Sequence, residues 1–128
     1  MTSSDVHEAV LAVNQAFYDA HEGRDLAAMG AVWEHSERVC CIHPGWPILR
    51  GWPMVEESWR RIFSGRGRNQ FIITNEVVEC VGDTAWVSLD ENLVDAGSTG
   101  TVAATNVFVR SAGTWAMVLH QGSPVALA

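Results

Sequence analysis

Apolar residues near the start of the chain recur at alternating spacings of four and three, which is the period of an amphipathic helix. Ser3 or Ser4 can cap this helix, and the pattern ends near Gly23. Asp25 can cap a shorter second helix with the sequence LAAMGAVWEH. The apolar stripe of the first helix consists of Val6, Val10, Val13, Phe17 and Ala20. Two helices therefore open the domain.

A short strand and a third helix follow. The apolar residues 39–42 precede His43, Pro44 and Gly45, and the strand ends at this turn because proline cannot continue a strand ladder. Residues 53–63 begin with proline and carry apolar side chains at helical spacing, which predicts the third helix.

From Phe71 onward the pattern changes to β-branched and aromatic runs separated by turn signals. These runs predict four strands, at residues 70–80, 84–94, 101–110 and 114–121. Helices followed by an antiparallel meander are typical of the α+β class, in which helices cover one face of a curved sheet. The length of 128 residues fits a single domain, residues 1–128.

Charge and residue usage exclude several functions. Fifteen acidic residues outnumber eight basic ones, and the formal net charge of -7 disfavours nucleic acid as a partner. All eight basic residues are arginines, so the chain offers no lysine for a Schiff base, for pyridoxal attachment or for a P-loop. No GxGxxG motif and no metal-ligand spacing occurs, and we expect no cofactor and no metal, although ligands distant in sequence could still meet.

Cysteine usage and the apolar runs bear on the location of the protein in the cell. The three cysteines, two of them adjacent, do not form a disulfide framework pattern. The first residues lack the basic and apolar segments of a secretory signal, and no apolar stretch approaches the roughly 20 residues of a membrane span. We expect a cytoplasmic protein that does not bind membranes.

Hairpin geometry predicts which polar side chains share a face of the sheet. A turn at residues 111–113 puts Asn106 and His120 on one face, because side chains alternate along strands. If the preceding hairpin pairs Val94 with Val102, Asp90 joins that face. A one-residue slip would bring Glu91 instead.

Both faces of this sheet carry side chains that need cover. Helices on only one side would leave the other face to solvent, yet apolar residues occur on both. We therefore expect a cavity on one face and a homodimer partner on the other.

Four segments carry a resemblance that covers nearly the whole chain. They are GRDLAAMGAVWEH, CIHPGWPILRGWPMVEESWRRIF, GDTAWVSLDEN and ATNVFVRSAGTWAMVLHQGSP. In this order they resemble the nuclear transport factor 2-like superfamily, in particular small SnoaL-like and ketosteroid-isomerase-like bacterial proteins. The resemblance implies a cone-shaped barrel of a curved, mostly antiparallel sheet, with three N-terminal helices covering the concave face, often in a dimer. It does not imply one function, because the fold hosts isomerases, cyclases, dehydratases and non-catalytic binding subunits.

The resemblance also permits a test by residue. The catalytic aspartate that precedes a proline in ketosteroid isomerases is replaced here by His43. The oxyanion tyrosine falls at Phe17, and the protonated aspartate that assists it falls at Asn106. These replacements argue against authentic steroid isomerase activity. Tyr18 lies beside the expected tyrosine position but off the apolar stripe, which predicts a place on the rim or in solvent.

The candidate residues follow from these arguments. His43 and His120 are candidate proton carriers, since imidazole titrates near neutral pH, and Asp90 would orient or charge one of them. The alternative for both histidines is structural: fixing a turn or completing a buried polar network. The candidate substrate-binding residues are Trp33, Trp46, Trp59, Trp86 and Asn106.

Two functions remain after this reading. The first is acid/base proton transfer of the isomerase, cyclase or dehydratase type on a small apolar or aromatic carbonyl compound, with Asn106 steadying an enolate oxygen. The alternative is a non-catalytic ligand-binding or protein-association module on the same scaffold.

Overall fold

The computed structural model describes residues 2–66, 70–95 and 98–126, and the first described element is helix α1, Ser3–Gly23. Thr2 caps it, rather than Ser3 or Ser4: its hydroxyl accepts from the backbone N–H of Asp5, and the Asp5 carboxylate accepts from the backbone N–H of Thr2. This reciprocal pair satisfies two otherwise free N–H groups at the start of the helix.

Helices α2, Leu26–Val32, and α3, Trp52–Ser64, begin at or next to the predicted positions, but α2 ends at Val32, three residues before the predicted end at His35. Asp25 caps α2 by accepting from the backbone N–H of Ala28 at 3.0 Å. Gly51, with φ of 85°, precedes α3, and proline occupies one of its first positions, as predicted.

The described strands form one curved, unclosed, six-stranded sheet. The strands are β1 (Cys40–Ile42), β2 (Leu49–Arg50), β3 (Phe71–Val81), β4 (Thr84–Asp95), β5 (Ser98–Ser111) and β6 (Thr114–Pro124). Their order is β2-β1-β6-β5-β4-β3, and all neighbours are antiparallel except β1 and β6, which run parallel. The predicted α+β class is confirmed, while β2 is a strand that the sequence pattern did not predict.

Helix α1 lies inside the curve of the sheet and contacts β3, β4 and β6. Because sheet surrounds it on more than one side, two neighbouring stripes of the helix are buried, not one. Phe17 and Tyr18 are 0% and 1% exposed. The expectation that Tyr18 lies on the rim or in solvent is therefore wrong.

The register between β4 and β5 differs from the one expected. Val94 pairs with Thr99, not with Val102, because β4 continues to Asp95 and β5 begins already at Ser98. The predicted long turn is thus mostly strand, although positions 96 and 97 lie outside the described residues. A shift by three residues is odd, so it reverses the faces of β4 relative to β5.

Glu91, and not Asp90, consequently faces the helices. Glu91 is 4% exposed on the face that also buries Ala85, Val87 and Leu89. Asp90 pairs with Thr74 and Ala103 and points to the opposite, outer face, and Trp86 is 36% exposed on that same outer face. The expected placement of Asp90 and Trp86 beside Asn106 is wrong.

The expectation that Asn106 and His120 share a face is confirmed, through a different register. An irregularity after Val107 lets Asn106 pair directly with His120, whereas Phe108 pairs with Met117. The extra residue in β6 is Val118. Such a bulge shifts the alternation of the strand by one position, so Met117 and His120 both point inward.

A second bulge interrupts β3 between Thr74 and Val77, where Asn75 has φ of 58°. Before it, Phe71 and Ile73 are the partly buried positions; after it, Val78 and Cys80 are. The inward face therefore changes from odd to even numbers.

No helix in the described part of the chain is long and apolar enough to cross a membrane.

Candidate functional site

A cavity of about 270 Å³ opens between α1, α3 and the inner face of the sheet. Three imidazoles and one carboxyl group reach it: His21, His43, His120 and Glu91. The remaining lining side chains are apolar: Pro44, Trp46, Ile62, Phe71, Leu93 and Val102. Titratable groups thus face a small space that is otherwise hydrophobic, which is the usual arrangement of a small-molecule site.

Glu91 forms a short hydrogen bond with Tyr18, whose hydroxyl donates to Oε2 at 2.6 Å. Burial raises the pKa of Glu91 to about 7, although the hydrogen bond from Tyr18 acts in the opposite direction. Burial, followed by the neighbouring Glu91, raises the pKa of Tyr18 far above its ordinary value. Tyr18 therefore stays protonated and remains a donor, while Glu91 is available in both protonation states near neutral pH.

Asn106 links Tyr18 to the imidazole of His120. Its Nδ2 donates to the Tyr18 hydroxyl at 3.1 Å and to Oδ1 of Asn14 at 2.8 Å. Its Oδ1 lies 2.6 Å from Nδ1 of His120. Asn14 in turn donates to Oε2 of Glu76 at 2.9 Å. Asn106 is fully buried and its amide is engaged on every side, so it supports the cavity wall from behind.

His43 is held by α3 at the other side of the cavity. Its Nε2 lies 2.8 Å from Oγ of Ser58, and that hydroxyl donates to the carbonyl of Val55 at 2.6 Å. Because the single proton of Ser58 is used there, His43 is the donor to Ser58. The turn after His43 closes with the N–H of Trp46 donating to its carbonyl at 2.9 Å.

All three cavity imidazoles are neutral over a wide pH range. Burial lowers the pKa of His21 and of His43 to about 4. Burial also lowers the pKa of His120 well below its ordinary value, and His43 and His21 add to the effect. Burial raises the pKa of the neighbouring Cys41 thiol, which disfavours a thiolate nucleophile.

The four candidate tryptophans do not form one wall. Trp46 lines the cavity. Trp59 is 0% exposed and packs edge-on against His43 at a centroid distance of 4.6 Å, so it supports the imidazole from the core. Trp33 is buried and lies nearest to Trp52 among the described rings, at 6.2 Å. Trp86 lies on the outer face.

Of the predicted catalytic residues, His43 and His120 meet in the cavity with ring centroids 6.4 Å apart, and Asp90 does not join them. Sequence reasoning named Glu91 only as the alternative to Asp90. It missed Asn14, Tyr18 and His21 as members of the site. Their spacing of four and three puts them on one helix stripe beside the apolar stripe. This polar stripe could have indicated the site, because a helix that lines a protein cavity also carries a polar stripe beside its apolar one.

A larger, open groove of about 680 Å³ runs between α1 and α2. Its titratable lining consists of Asp19 and Asp25, and Asp25 is the α2 cap. The described residues include no group of three or more histidine, cysteine or acidic side chains arranged to hold a metal ion. The smaller cavity is therefore the stronger candidate for chemistry.

Comparisons with known proteins agree with this architecture. A family model of the SnoaL-like domain matches residues 10–127. A crystal structure of a dehydratase candidate of the NTF2-like family from Streptomyces avermitilis is 34% identical with a TM-score of 0.90, covering 98% of this chain and 100% of that chain. A candidate calcium/calmodulin-dependent protein kinase type II association domain from Thiobacillus denitrificans is 37% identical with a TM-score of 0.83, covering 90% of this chain and 94% of that chain.

One relative is a larger plant protein. The F-box protein SKIP8 of Arabidopsis thaliana is 33% identical over 116 residues, which is 90% of this chain and 49% of that protein. The chain therefore spans about half the length of this relative. The match of the family model over most of the sequence, together with the NTF2-like neighbour, leads to one conclusion: the chain belongs to the SnoaL-like family of the nuclear transport factor 2-like superfamily.

Proposed function

We propose that this protein binds a compact, uncharged carbonyl compound and catalyses acid/base proton transfer on it, of the isomerase, cyclase or dehydratase type. The observation that carries the proposal is the Glu91 carboxyl group in the cavity wall, with its pKa raised to about 7 and with neutral imidazoles around it. A carboxylic acid kept neutral in an apolar site can donate a proton or a hydrogen bond to a developing oxyanion. A neutral imidazole beside it can accept a proton from carbon.

His120 and Glu91 have separate roles in the proposed reaction. Nε2 of His120 takes the proton from the carbon next to the carbonyl group, so a C–H bond breaks and an N–H bond forms. The electron pair of that C–H bond becomes a C=C bond, the carbonyl π pair moves to oxygen, and Glu91 delivers its proton there. In an isomerisation, His120 returns its proton to a different carbon while the Glu91 carboxylate takes the enol proton back and the C=O bond re-forms. In a dehydration, Glu91 takes the enol proton back as the C=O bond re-forms, and the C=C pair shifts to expel the β-hydroxyl. Glu91 gives the same proton to that leaving oxygen, so water departs, and the proton on His120 then returns to Glu91 through solvent.

Cavity size and lining define the ligand class. About 270 Å³ lies just below the roughly 300 to 1,000 Å³ of typical drug-sized sites, which favours a single-ring or short-chain compound. Trp46 and Phe71 provide aromatic contacts for an apolar or aromatic ligand. The high identity to a dehydratase candidate is consistent with this chemistry but does not identify the substrate.

Deuterium exchange in heavy water tests the proposal. A panel of small cyclic ketones and β-hydroxy ketones is incubated with the protein, and exchange at the α-carbon is followed by proton NMR. Glu91→Gln removes the transferable proton with little change in shape, and we expect exchange to slow by about 10²-fold or more. Asp90→Asn is the matched control, because the Asp90 carboxylate neighbours Glu91 in sequence but lies on the outer face. This variant should exchange the α-proton of the ketone at the wild-type rate. Equal loss in both variants would contradict the role of Glu91.

The pH profile gives an independent check. Exchange requires protonated Glu91, so the rate should fall as pH rises through about 7. It also requires neutral imidazoles, so the rate should fall on the acid side only near pH 4, where His43 takes up a proton. A rate that increases above pH 7 would assign Glu91 the opposite role, that of the base.

The non-catalytic alternative has its own support. The kinase II association-domain candidate is 37% identical to this chain, and the outer face of the sheet exposes apolar side chains. Those side chains include Ile72 at 58%, Val77 at 48%, Val81 at 68% and Trp86 at 36% exposure. A second copy of this chain covering that face would form a homodimer. Such a dimer is compatible with both the catalytic and the non-catalytic function. A cytoplasmic location is part of the same proposal, since the three cysteines are free thiols.

A further inference from the structure

The hydrogen bonds behind the cavity form one chain that runs from the protein surface to His120. Its members are Glu76, Asn14, Asn106 and His120, taken from three strands and one helix, with distances of 2.9, 2.8 and 2.6 Å between successive partners. Amide side chains can be oriented either way round, so the direction of such a chain depends on what stands at its ends.

Glu76 fixes the direction at the surface end of the chain, and Tyr18 favours the same direction at Asn106, since its hydroxyl donates to Glu91 and accepts from Nδ2 of Asn106. Glu76 is exposed, and the oxygens of a carboxylate can only accept hydrogen bonds. Asn14 must therefore point its NH₂ group at Glu76 and its carbonyl oxygen at Asn106. Asn106 must therefore donate from its own NH₂ group to Asn14, which leaves its carbonyl oxygen to accept from His120.

The consequence is a single tautomer of the imidazole. Because Oδ1 of Asn106 is an acceptor, Nδ1 of His120 must carry the proton and donate it. Burial keeps the ring neutral, so Nε2 has a free lone pair. A nitrogen with a free lone pair is what a proton acceptor needs.

The bulge in β3 is what brings Glu76 into this chain. Asn75, with φ of 58°, adds one residue to the strand between Thr74 and Val77, and the inward face changes from odd to even numbers there. Glu76 is the first even-numbered residue after the change. In an uninterrupted strand its side chain would point away from α1.

We infer that Glu76 is a positioning residue that sets the Nδ1–H tautomer of His120 through the side chains of Asn14 and Asn106. Its effect on catalysis rests on the proposed function, whereas the tautomer itself can be measured without any substrate.

The test is nitrogen-15 NMR of histidine-labelled protein, in which two-bond couplings distinguish a protonated ring nitrogen from a bare one. The His120 signals are assigned by their loss in His120→Gln. Wild type should show His120 protonated at Nδ1 alone. Glu76→Gln should show a mixture with the Nε2–H form, because glutamine can donate as well as accept and the two amides can then reverse. Glu79→Gln, another exposed carboxylate of β3, is the matched control and should keep the wild-type spectrum.

Two results would overturn the inference. One is an Nε2–H tautomer in wild type, and the other is an unchanged Nδ1–H tautomer in Glu76→Gln, which would leave Tyr18 and burial as the orienting factors. The exchange assay separates this inference from the proposed function. If Glu76→Gln shifts the tautomer and wild type exchanges no ketone, Glu76 keeps its positioning role and the catalytic proposal fails. If both hold, the exchange rate constant should fall in Glu76→Gln while the KM changes little.

Discussion

Asp90 and Glu91 are adjacent in sequence and opposite in environment. Asp90 lies on the outer face of the sheet, whereas Glu91 is 4% exposed and bonded to Tyr18. Burial disfavours the charged form of a carboxyl group, and it raises the pKa of Glu91 to about 7. The chemical difference between these two carboxyl groups therefore comes from strand register and not from residue type.

Glu91 should also make stability depend on pH. Its pKa is raised from 4.5 to about 7 in the folded protein, so the folded state holds a proton that the unfolded state releases between these values. The free energy of unfolding should fall by about 3 kcal/mol as pH rises from about 4.5 through 7, since each pKa unit is worth about 1.4 kcal/mol.

Urea denaturation at pH 5 and pH 8 measures this effect. In Glu91→Gln the difference in unfolding free energy between the two pH values should be smaller than in wild type. Asp90→Asn should retain the wild-type difference. If Glu91→Gln and wild type lose stability equally between pH 5 and 8, the raised pKa is wrong.

Elements of this protein could be predicted where local signals suffice. The cap Asp25, the turn after His43 and the alternation of apolar residues depend on neighbours in sequence, and the sequence pattern located them. Register could not be predicted in the same way, because it depends on how far two strands continue into their shared turn. Thr99 and Thr101 are β-branched and would have supported the longer strands.

The bulges and the burial of α1 could not be predicted from the sequence pattern, for a different reason. An asparagine such as Asn75 adopts the left-handed conformation at little cost, but it does so mostly in turns, so its presence inside an apolar run does not predict a bulge. The prediction for Tyr18 assumed that α1 buries a single apolar stripe, whereas a helix inside a curved sheet buries two neighbouring stripes. Both features are decided by the tertiary surroundings.

Gly122 shows how a single strand position controls the cavity. A Cβ atom there would lie 2.9 Å from Cγ1 of Val102 and 3.2 Å from Cγ of Pro44, and both residues line the cavity. Gly122→Ala should therefore displace the cavity wall and destabilise the fold by about 1 to 3 kcal/mol.

Thermal unfolding and the nitrogen-15 signals of the cavity histidines measure the two effects of Gly122→Ala. Gly100→Ala is the matched control, because its new Cβ would meet no atom within 4 Å. Stability and spectra equal to wild type in Gly122→Ala would mean that the wall yields without cost.

The sheet of this protein has one face that is covered by helices and one face that is open. Three helices cover the concave side of the sheet, and the outer side exposes apolar residues of β3 and β4, including Val81 and Trp86. Isolated apolar residues on a surface are ordinary, but exposed apolar side chains on adjacent strands, such as Val77 and Val81 on the diagonals from Trp86, are candidates for an association surface. The proposed homodimer would bury this group.

Sedimentation velocity tests the dimer. Trp86→Arg places a charge among the exposed apolar residues of β3 and β4, and we expect it to convert a dimer into a monomer while the cavity spectra stay unchanged. Met54→Arg is the control, since Met54 is 53% exposed but lies on α3. A wild-type protein that sediments as a monomer at micromolar concentration would contradict the proposed assembly.

The parallel pairing of β1 with β6 has a consequence for the order in which the site forms. His43 follows directly after β1, and β1 is held beside the last strand through the pairs Cys40 with Leu119 and Cys41 with His120. Contacts between distant parts of a chain form slowly, because a long loop must close first. During synthesis on the ribosome, helices and hairpins can fold as they emerge, but the two imidazoles meet only after β6 has left the exit tunnel. The cavity is thus completed late, and a partly synthesised chain lacks the arrangement of imidazoles that the proposed acid/base chemistry requires.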